Sequence, residues 1–235
     1  ATPGPKKQEL TLKDYSKLYL KLSNFATEIE RSVVEVTNVK EETDIFENTE
    51  VTADSFFGLA LADNGEELLL LVPYEKLADF NRLEVRFTNG ATAEAQVLSF
   101  DQELGIAILT VALEMIPEEV FLSLEMAKLG DSYYLSAGTP LLALGSPNGY
   151  LYSREIGFVT NPLYDGFIQD GIVELFNTDM DFHDRGEAFL INLNGEVVGF
   201  HTRNFADELN EDMYVVLGIS KIKKTIEQMV NGEDR

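Results

Sequence analysis

The sequence offers few side chains that could accept a proton near neutral pH. It has two histidines, His183 and His201, and no cysteine. His183 lies in the acidic segment 179–184, where several carboxylates surround it in sequence. Zinc sites usually hold more than one histidine or cysteine, and this spacing matches no ligand pattern for zinc or calcium. We therefore expect no metal site and interpret the segment as a solvated acidic loop.

The second histidine follows Phe200 in a segment whose β-branched and aromatic residues predict a strand. His201 is therefore interpreted as a half-buried structural residue rather than a base. The absence of cysteine excludes disulfides and thiolate nucleophiles. No cofactor is expected, because no motif in the sequence indicates one.

The charge of the chain is strongly unbalanced. Its 235 residues include 41 Asp and Glu against 18 Lys and Arg, a formal net charge of -23. Such a surface repels phosphate backbones, so nucleic acid is excluded as a partner and an anionic membrane face is disfavoured. The acidity favours solubility, with attraction of basic peptides or cations as the alternative. A hydrophobic content of 45% is that of a folded globular protein.

Two segments have the periodicity of helices. Apolar residues at intervals of three and four predict a helix over 10–30, and a second apolar stripe predicts one over 220–230. Ser220 is expected to cap that second helix and Gly232 to end it. The segment 41–50 is acidic and aperiodic, which predicts a solvated loop.

Between the helices the pattern is that of a β protein. Asn-Gly pairs at 64–65, 89–90, 148–149 and 194–195 predict tight turns, because this pair tolerates the positive φ angles that hairpins need. The predicted strands are 32–37, 56–61, 67–72, 83–88, 92–100, 106–111, 140–145, 152–160, 173–178, 188–193, 197–203 and 213–217. Many short strands separated by turns favour a sandwich or barrel over βαβ units.

Several short sequence motifs occur in a recognisable order. These are Leu-Gly-Asp-Ser at 129–132, Gly-Ser-Pro-Asn-Gly at 145–149, and Asn-Leu-Asn-Gly-Glu-Val-Val-Gly at 192–199. From about residue 25 onward the chain resembles the protease domain of HtrA-type, trypsin-like serine proteases. The resemblance implies a mainly β, chymotrypsin-like double β-barrel with N-terminal and C-terminal helices. We expect a linker over 1–9 and one domain over 10–235, its barrels meeting near residue 125; no PDZ domain is expected within this chain.

The resemblance also places the three catalytic positions of the family. The histidine position is occupied by Tyr74, the aspartate position by Gly105 and the serine position by Gly186. A one-residue deletion shifts the last register by at most one, and neither neighbour, Arg185 or Glu187, is the required nucleophile. All three roles of a serine protease are therefore vacant, and the oxyanion hole that the family builds beside its serine is in doubt.

These vacancies favour a catalytically inactive domain that binds peptide or protein, or regulates, in the bacterial cell envelope. The residues expected to bind lie in two predicted loops, 161–171 and 204–212: Tyr164, Phe167, Phe205, Asp207 and Glu208. The resemblance further implies an extracytoplasmic location, a membrane tether outside this chain and a homotrimer. Two alternatives are an active endopeptidase whose nucleophile is Ser132, Ser136, Ser146 or Ser153, and an acidic cation-binding surface domain.

Overall fold

A computed structural model describes residues 10–43, 49–77, 80–168, 171–183, 186–201 and 215–231. The helices in these ranges are α1 (Leu12–Ile29), α2 (Glu118–Phe121) and α3 (Ile219–Val230). The strands are β1 (Val33–Thr43), β2 (Thr49–Asp63), β3 (Glu67–Pro73), β4 (Arg82–Arg86), β5 (Thr92–Asp101), β6 (Ile106–Ala112), β7 (Lys128–Leu129), β8 (Pro140–Gly145), β9 (Ser153–Ile168), β10 (Gly171–Thr178), β11 (Ala188–Asn192), β12 (Glu196–His201) and β13 (Val215–Gly218). The expected mainly β architecture is confirmed.

The first six strands close into a barrel in the order β1-β2-β3-β6-β5-β4. Along β4, Leu83 and Val85 point inward and alternate with residues that are exposed or half-buried, as a strand with one buried face requires. The turns before β3 and β5 contain Gly65 and Gly90 at φ +89° and +85°. Both predicted Asn-Gly turns are thus confirmed, because these left-handed angles are the ones that favour glycine.

The remaining strands form a seven-stranded sheet in the order β11-β8-β9-β10-β13-β12-β7. β11 also pairs with β12, which curls this sheet back on itself. Phe176, Phe182 and Val216 belong to its own buried cluster. A separate cluster joins the barrel to this sheet and includes Phe57 and Phe200. α3 packs into that cluster, so burial of apolar surface holds the two halves together.

Helix α1 begins as the sequence predicts. The hydroxyl of Thr11 accepts a hydrogen bond from the Asp14 N–H, while the Asp14 carboxylate accepts from the Thr11 N–H, a complete capping box. Ala26, near the other end, is the residue of α1 that is buried. Among the described helices none is long and apolar enough to cross a bilayer.

Two segments predicted as loops contain strand in their described residues. In the acidic segment 41–50, β1 continues to Thr43 and β2 starts at Thr49, with the two paired at that point. The segment 161–171 forms the end of β9 and the start of β10, where Phe167 pairs with Ile172. Cross-strand hydrogen bonding supplied by the partner strand outweighs the polar or turn-forming residues in both segments.

The predicted cap of α3 is also wrong. The helix starts at Ile219, its N-cap residue is Gly218, and no side chain caps it. The Ser220 hydroxyl instead donates to the Asp131 carboxylate at 2.8 Å and accepts from the Ser132 N–H at 2.6 Å. Ser220 therefore ties α3 to the 129–132 segment. The predicted stop at Gly232 lies outside the described residues.

Candidate functional site

Tyr74 and Gly105, two of the three positions singled out in the sequence, lie side by side. Tyr74 follows β3 directly, and its backbone N–H donates to the carbonyl oxygen of Gly105 at 2.9 Å. The Tyr74 ring stacks on Phe100, with ring centroids 4.9 Å apart and an interplanar angle of 21°. A phenol with an ordinary pKa of about 10 is a poor proton acceptor at neutral pH, and Gly105 offers no carboxylate.

Gly186, the third position, has no room for a side chain. A Cβ atom built there would lie 2.2 Å from the carbonyl oxygen of Pro147 and 2.9 Å from that of His183. Both obstacles are backbone atoms, so a rotamer change cannot relieve the overlap. A serine at this position would require the 146–149 turn or the 183–187 segment to shift.

The backbone around Gly186 forms hydrogen bonds with neighbouring backbone groups of the chain. Its N–H donates to the carbonyl oxygen of His183 at 2.6 Å, while the His183 N–H donates to the carbonyl oxygen of Pro147 at 2.8 Å. Ser146 and Glu187 exchange a further pair of backbone hydrogen bonds at 2.9 and 3.3 Å. An oxyanion hole needs backbone N–H groups that point at the reacting oxygen. In this arrangement the Gly186 N–H already has a partner within the chain.

An ion pair lies next to these positions and crosses between the two halves of the molecule. The Lys76 ammonium, two residues after Tyr74, is 3.3 Å from the Glu187 carboxylate and 3.5 Å from that of Asp54. The Asn38 side-chain amide donates to the Lys76 carbonyl oxygen at 2.8 Å, which fixes the lysine backbone. Glu187 follows Gly186 directly and is buried, with 4% of its surface exposed.

Burial and neighbouring charges together set the pKa values of this pair. It raises the pKa of Glu187 to about 7; the Lys76 charge opposes the rise, and the charges of Glu75 and Asp54 add to it. Burial acts to lower the pKa of Lys76, but the charges of Glu187 and Asp54 outweigh it and the pKa is raised. Within the described chain neither Glu187 oxygen accepts a hydrogen bond. The carboxylate lies 3.3 Å from the Lys76 ammonium and titrates near neutrality.

The residues expected to bind peptide or protein differ in their exposure. Phe167 is 82% exposed near the end of β9, as a binding aromatic should be. Tyr164 is half-buried and packs against the cluster between the barrel and the second sheet, so it is a structural residue rather than an exposed anchor. Phe205, Asp207 and Glu208 lie outside the described residues.

A groove of about 480 Å³ adjoins Phe167's cross-strand partner, Ile172. Its walls are the turn between β5 and β6, the start of β10 and one side of α3, which brings Phe100 and Ile172 to the same cavity. Phe100 and Ile172 are 56% and 42% exposed. Tyr74 stacks on Phe100, so an aromatic and apolar wall runs from Tyr74 into the groove.

Two of the four serines considered as alternative nucleophiles, Ser132 and Ser136, have hydroxyl contacts within the described chain. The Ser132 hydroxyl accepts from the Ser220 N–H, and the Ser136 hydroxyl bonds that of Thr139. Ser146 is buried, and the Ser153 hydroxyl is buried with no hydrogen-bond partner in the described chain. The Ser132 contact is to a backbone amide and the Ser136 contact is to a hydroxyl. An activated serine instead requires a contact with a base such as an imidazole.

His201 and Asp179 have structural contacts as well. His201 is buried, stacks on Phe182 at a centroid distance of 4.0 Å, and its Nδ1 lies 3.0 Å from the Val215 carbonyl oxygen. The Asp179 carboxylate accepts from the Phe158 N–H at 2.6 Å. Within the described ranges no group of three or more His, Cys, Asp or Glu side chains is arranged to hold a metal ion.

Comparison with known proteins tests the resemblance to HtrA-type serine proteases. No protein-family model matches the chain. Serine protease HTR4 of Rattus norvegicus is 28% identical over 159 residues, which are 66% of this chain and 30% of that protein. A probable periplasmic, DegP-like serine endoprotease of Pseudomonas putida strain W619 is 31% identical over 137 residues, 55% of this chain and 25% of that protein.

The fold gives an independent match. The solved structure of the HtrA-type protease AlgW with a decapeptide superposes with a TM-score of 0.68 at 16% identity, covering 89% of this chain and 67% of that one. The chain thus has the fold of an HtrA-type protease domain and is similar in sequence to HtrA- and DegP-type serine proteases. It spans about a third of the length of the first curated relatives it matches. The HtrA-like resemblance drawn from the sequence is thereby confirmed. The ion pair of Lys76 and Glu187, in contrast, was not predicted from the sequence.

Proposed function

We propose that this HtrA-like domain is catalytically inactive and acts as a peptide- or protein-binding module of the bacterial cell envelope. The observation that carries the proposal is the state of the serine position. Gly186 lacks a nucleophile, and the Pro147 carbonyl oxygen occupies the space that a side chain would need. Tyr74 and Gly105 supply neither the imidazole nor the carboxylate of a triad.

Backbone geometry supports the same conclusion. A protein that had merely lost its catalytic side chains would keep N–H groups aimed at a substrate oxygen. Here the Gly186 N–H donates to the His183 carbonyl oxygen. Residual catalysis in triad mutants comes largely from such preorganised donors. With this donor engaged within the chain, the corresponding contribution is lost as well.

The binding role is supported by the wall of Tyr74, Phe100 and Ile172 together with Phe167. Exposed aromatic residues beside a groove are typical anchors at binding surfaces. The AlgW structure contains a decapeptide, and the P. putida relative is named as periplasmic. A peptide ligand and an extracytoplasmic location are therefore part of this proposal. A homotrimer and a membrane tether outside this chain complete it on the family resemblance.

Peptide binding and hydrolysis are measured together in the decisive experiment. The intact protein is incubated with an array of random peptides and, separately, with labelled casein. We expect selective peptide binding, no cleavage of casein, and loss of binding in Phe100→Ala and Phe167→Ala. Tyr134→Ala and Leu122→Ala change exposed apolar residues outside the groove and should bind as the parent does. Cleavage of casein, or binding that both groove variants retain, contradicts the proposal.

A further inference from the structure

Charge is distributed unevenly over this acidic chain. In the first eleven residues of α1, positions 12–22, there are three lysines, Lys13, Lys17 and Lys21, and one acidic residue, Asp14. The Asp14 carboxylate is engaged in the capping box, and it also lies 3.8 Å from the Lys17 ammonium. The start of α1 is therefore a basic segment on a protein whose formal net charge is -23.

The same segment is amphipathic. At 100° per residue all apolar side chains of α1 except Leu20 fall in one arc of about 140°, and the three lysines fall on the opposite side together with Leu20. Toward the end of the helix this stripe packs against the domain through Phe25, Ala26 and Ile29. The stripe then continues toward the start of α1, where the described residues give it no such cover.

Exposure confirms that the first part of the stripe is bare. Leu12, Tyr15, Leu18 and Tyr19 are 86%, 59%, 53% and 47% exposed. The rings of Tyr15 and Tyr19 pack on each other, with centroids 4.7 Å apart. Tyrosine is suited to a boundary between apolar and polar surroundings, because its ring is apolar and its hydroxyl is polar.

We propose that this exposed part of α1, residues 12–22, is a membrane-surface helix that binds anionic lipid. Leu12, Tyr15, Leu18 and Tyr19 insert at the boundary between headgroups and acyl chains, and Lys13, Lys17 and Lys21 contact lipid phosphates. A basic helix with one apolar face and aromatic residues has the chemistry of an interfacial helix that lies on a bilayer rather than crossing it.

The acidity of the rest of the chain does not prevent this contact. Eleven helical residues extend about 16 Å, whereas charges in physiological salt are screened over about 8 Å. Net charge alone disfavoured an anionic membrane as a partner. The segregation of lysines onto an exposed helix reverses that expectation for this one surface.

Charge also favours lipid over a second copy of the chain as the occupant. A protein partner would have to offer a groove that receives a single helix and complements its lysines. The 480 Å³ groove carries Lys221 and Lys224 as well as Asp101 and Glu103, so it gives no clear complement. An anionic bilayer conforms to a helix and supplies phosphates along its whole length.

Vesicle flotation of the intact protein tests the inference, which is independent of the proposed peptide binding. The vesicles contain phosphatidylcholine alone or phosphatidylcholine and phosphatidylglycerol in equal parts. We expect flotation only with phosphatidylglycerol and its loss at high salt. The chain contains no tryptophan, so a Tyr19→Trp variant gives a single reporter whose emission shifts to the blue on insertion.

Two multiple variants separate charge from apolar contact. Lys13→Glu with Lys17→Glu and Lys21→Glu should weaken binding by at least about tenfold, since each lysine contributes about fivefold. Tyr15→Ser with Tyr19→Ser should weaken it similarly. Lys128→Glu with Lys221→Glu and Lys224→Glu is the matched charge control and should bind far better than the α1 charge variant. Circular dichroism should show that every variant folds.

Three results overturn the inference. The first is failure of the parent protein to float with phosphatidylglycerol vesicles. The second is binding that the α1 variants retain. The third is a parent protein that forms a concentration-dependent oligomer but does not bind vesicles, together with a Tyr15→Ser, Tyr19→Ser variant that does not form the oligomer. That result would assign this face to contacts between copies of the chain.

Discussion

The Lys76 ammonium lies 3.3 Å from the buried carboxylate of Glu187, joining the two halves of the protein close to Tyr74 and Gly186. Lys76 is two residues from the histidine position and Glu187 is next to the serine position. In an active serine protease, a histidine and a serine approach each other from these two halves. Here a salt bridge occupies that region, and the titration of Glu187 near neutrality gives it a measurable signature.

Stability should fall as pH rises through neutrality because of Glu187. Its folded-state pKa of about 7 exceeds its ordinary value of 4.5, so the native state holds a proton that the unfolded state has released. The contribution of the protonated form is present at low pH and is lost between these two values, a change of roughly 3 kcal/mol. Urea unfolding from about pH 5 to pH 8 measures it.

Glu187→Gln supplies the comparison. The difference in unfolding free energy between the parent and Glu187→Gln should change with pH over the same window, because the other carboxylates are common to both proteins. Glu94→Gln changes an exposed carboxylate and should leave the pH profile unaltered. Parallel profiles for the parent and Glu187→Gln would show that Glu187 does not titrate with a raised pKa.

Lys76→Met should destabilise the protein above neutral pH, because a buried carboxylate loses its counter-charge. The coupling energy from a double-mutant cycle with Glu187→Gln should be about 1–3 kcal/mol at pH 8 and smaller at pH 5. Thermal unfolding of the four proteins of the cycle gives this value. A coupling energy near zero at both pH values would mean that the ion pair does not hold the two halves together.

Gly186→Ala should destabilise the fold by roughly 1–3 kcal/mol, since the added Cβ overlaps a backbone carbonyl oxygen. Gly171→Ala is the matched control, because a Cβ at Gly171 meets nothing within 4 Å. Urea midpoints of the two variants are compared. Equal midpoints would show that the space beside Gly186 is open and that a serine could be restored there.

Arg154→Ala should loosen the end of α1 that packs on the domain. The Arg154 guanidinium forms a bidentate pair with Glu30, and also donates to the Ser23 carbonyl oxygen at 3.2 Å and the Thr27 hydroxyl at 3.1 Å. Hydrogen exchange over 23–30 should quicken severalfold. Arg82→Ala breaks an exposed pair with Glu84 and should leave α1 unchanged. Unaltered exchange in Arg154→Ala would contradict this role.

Much of the fold follows from local signals in the sequence. Asn-Gly pairs mark the hairpins, and Gly65 and Gly90 adopt the expected positive φ angles. The end of β9 was missed because Asn161, Pro162 and Gly166 are typical of a loop. Gly166 is nevertheless suited to this strand, since a Cβ there would lie 2.5 Å from the Leu175 side chain on β10. Such a fit depends on the partner strand and leaves no local signal.

The candidate site shows the same division. The assignment of Tyr74, Gly105 and Gly186 to the triad positions is a prediction that rests on the order of motifs along the chain. The salt bridge cannot be predicted from the sequence, because Lys76 and Glu187 are distant along the chain and both are residue types that usually lie at the surface. Ser220 is a similar case: it has the residue type of a helix cap, but its hydroxyl is used by Asp131 and Ser132.

The inactivity of the domain is tested most directly by mass spectrometry of the intact protein after incubation with a fluorophosphonate that labels activated serines. We predict no covalent adduct, with an active HtrA protease domain labelled in parallel as the positive control. An adduct on one defined serine, lost when the protein is unfolded before labelling, would reveal a working nucleophile and contradict the account.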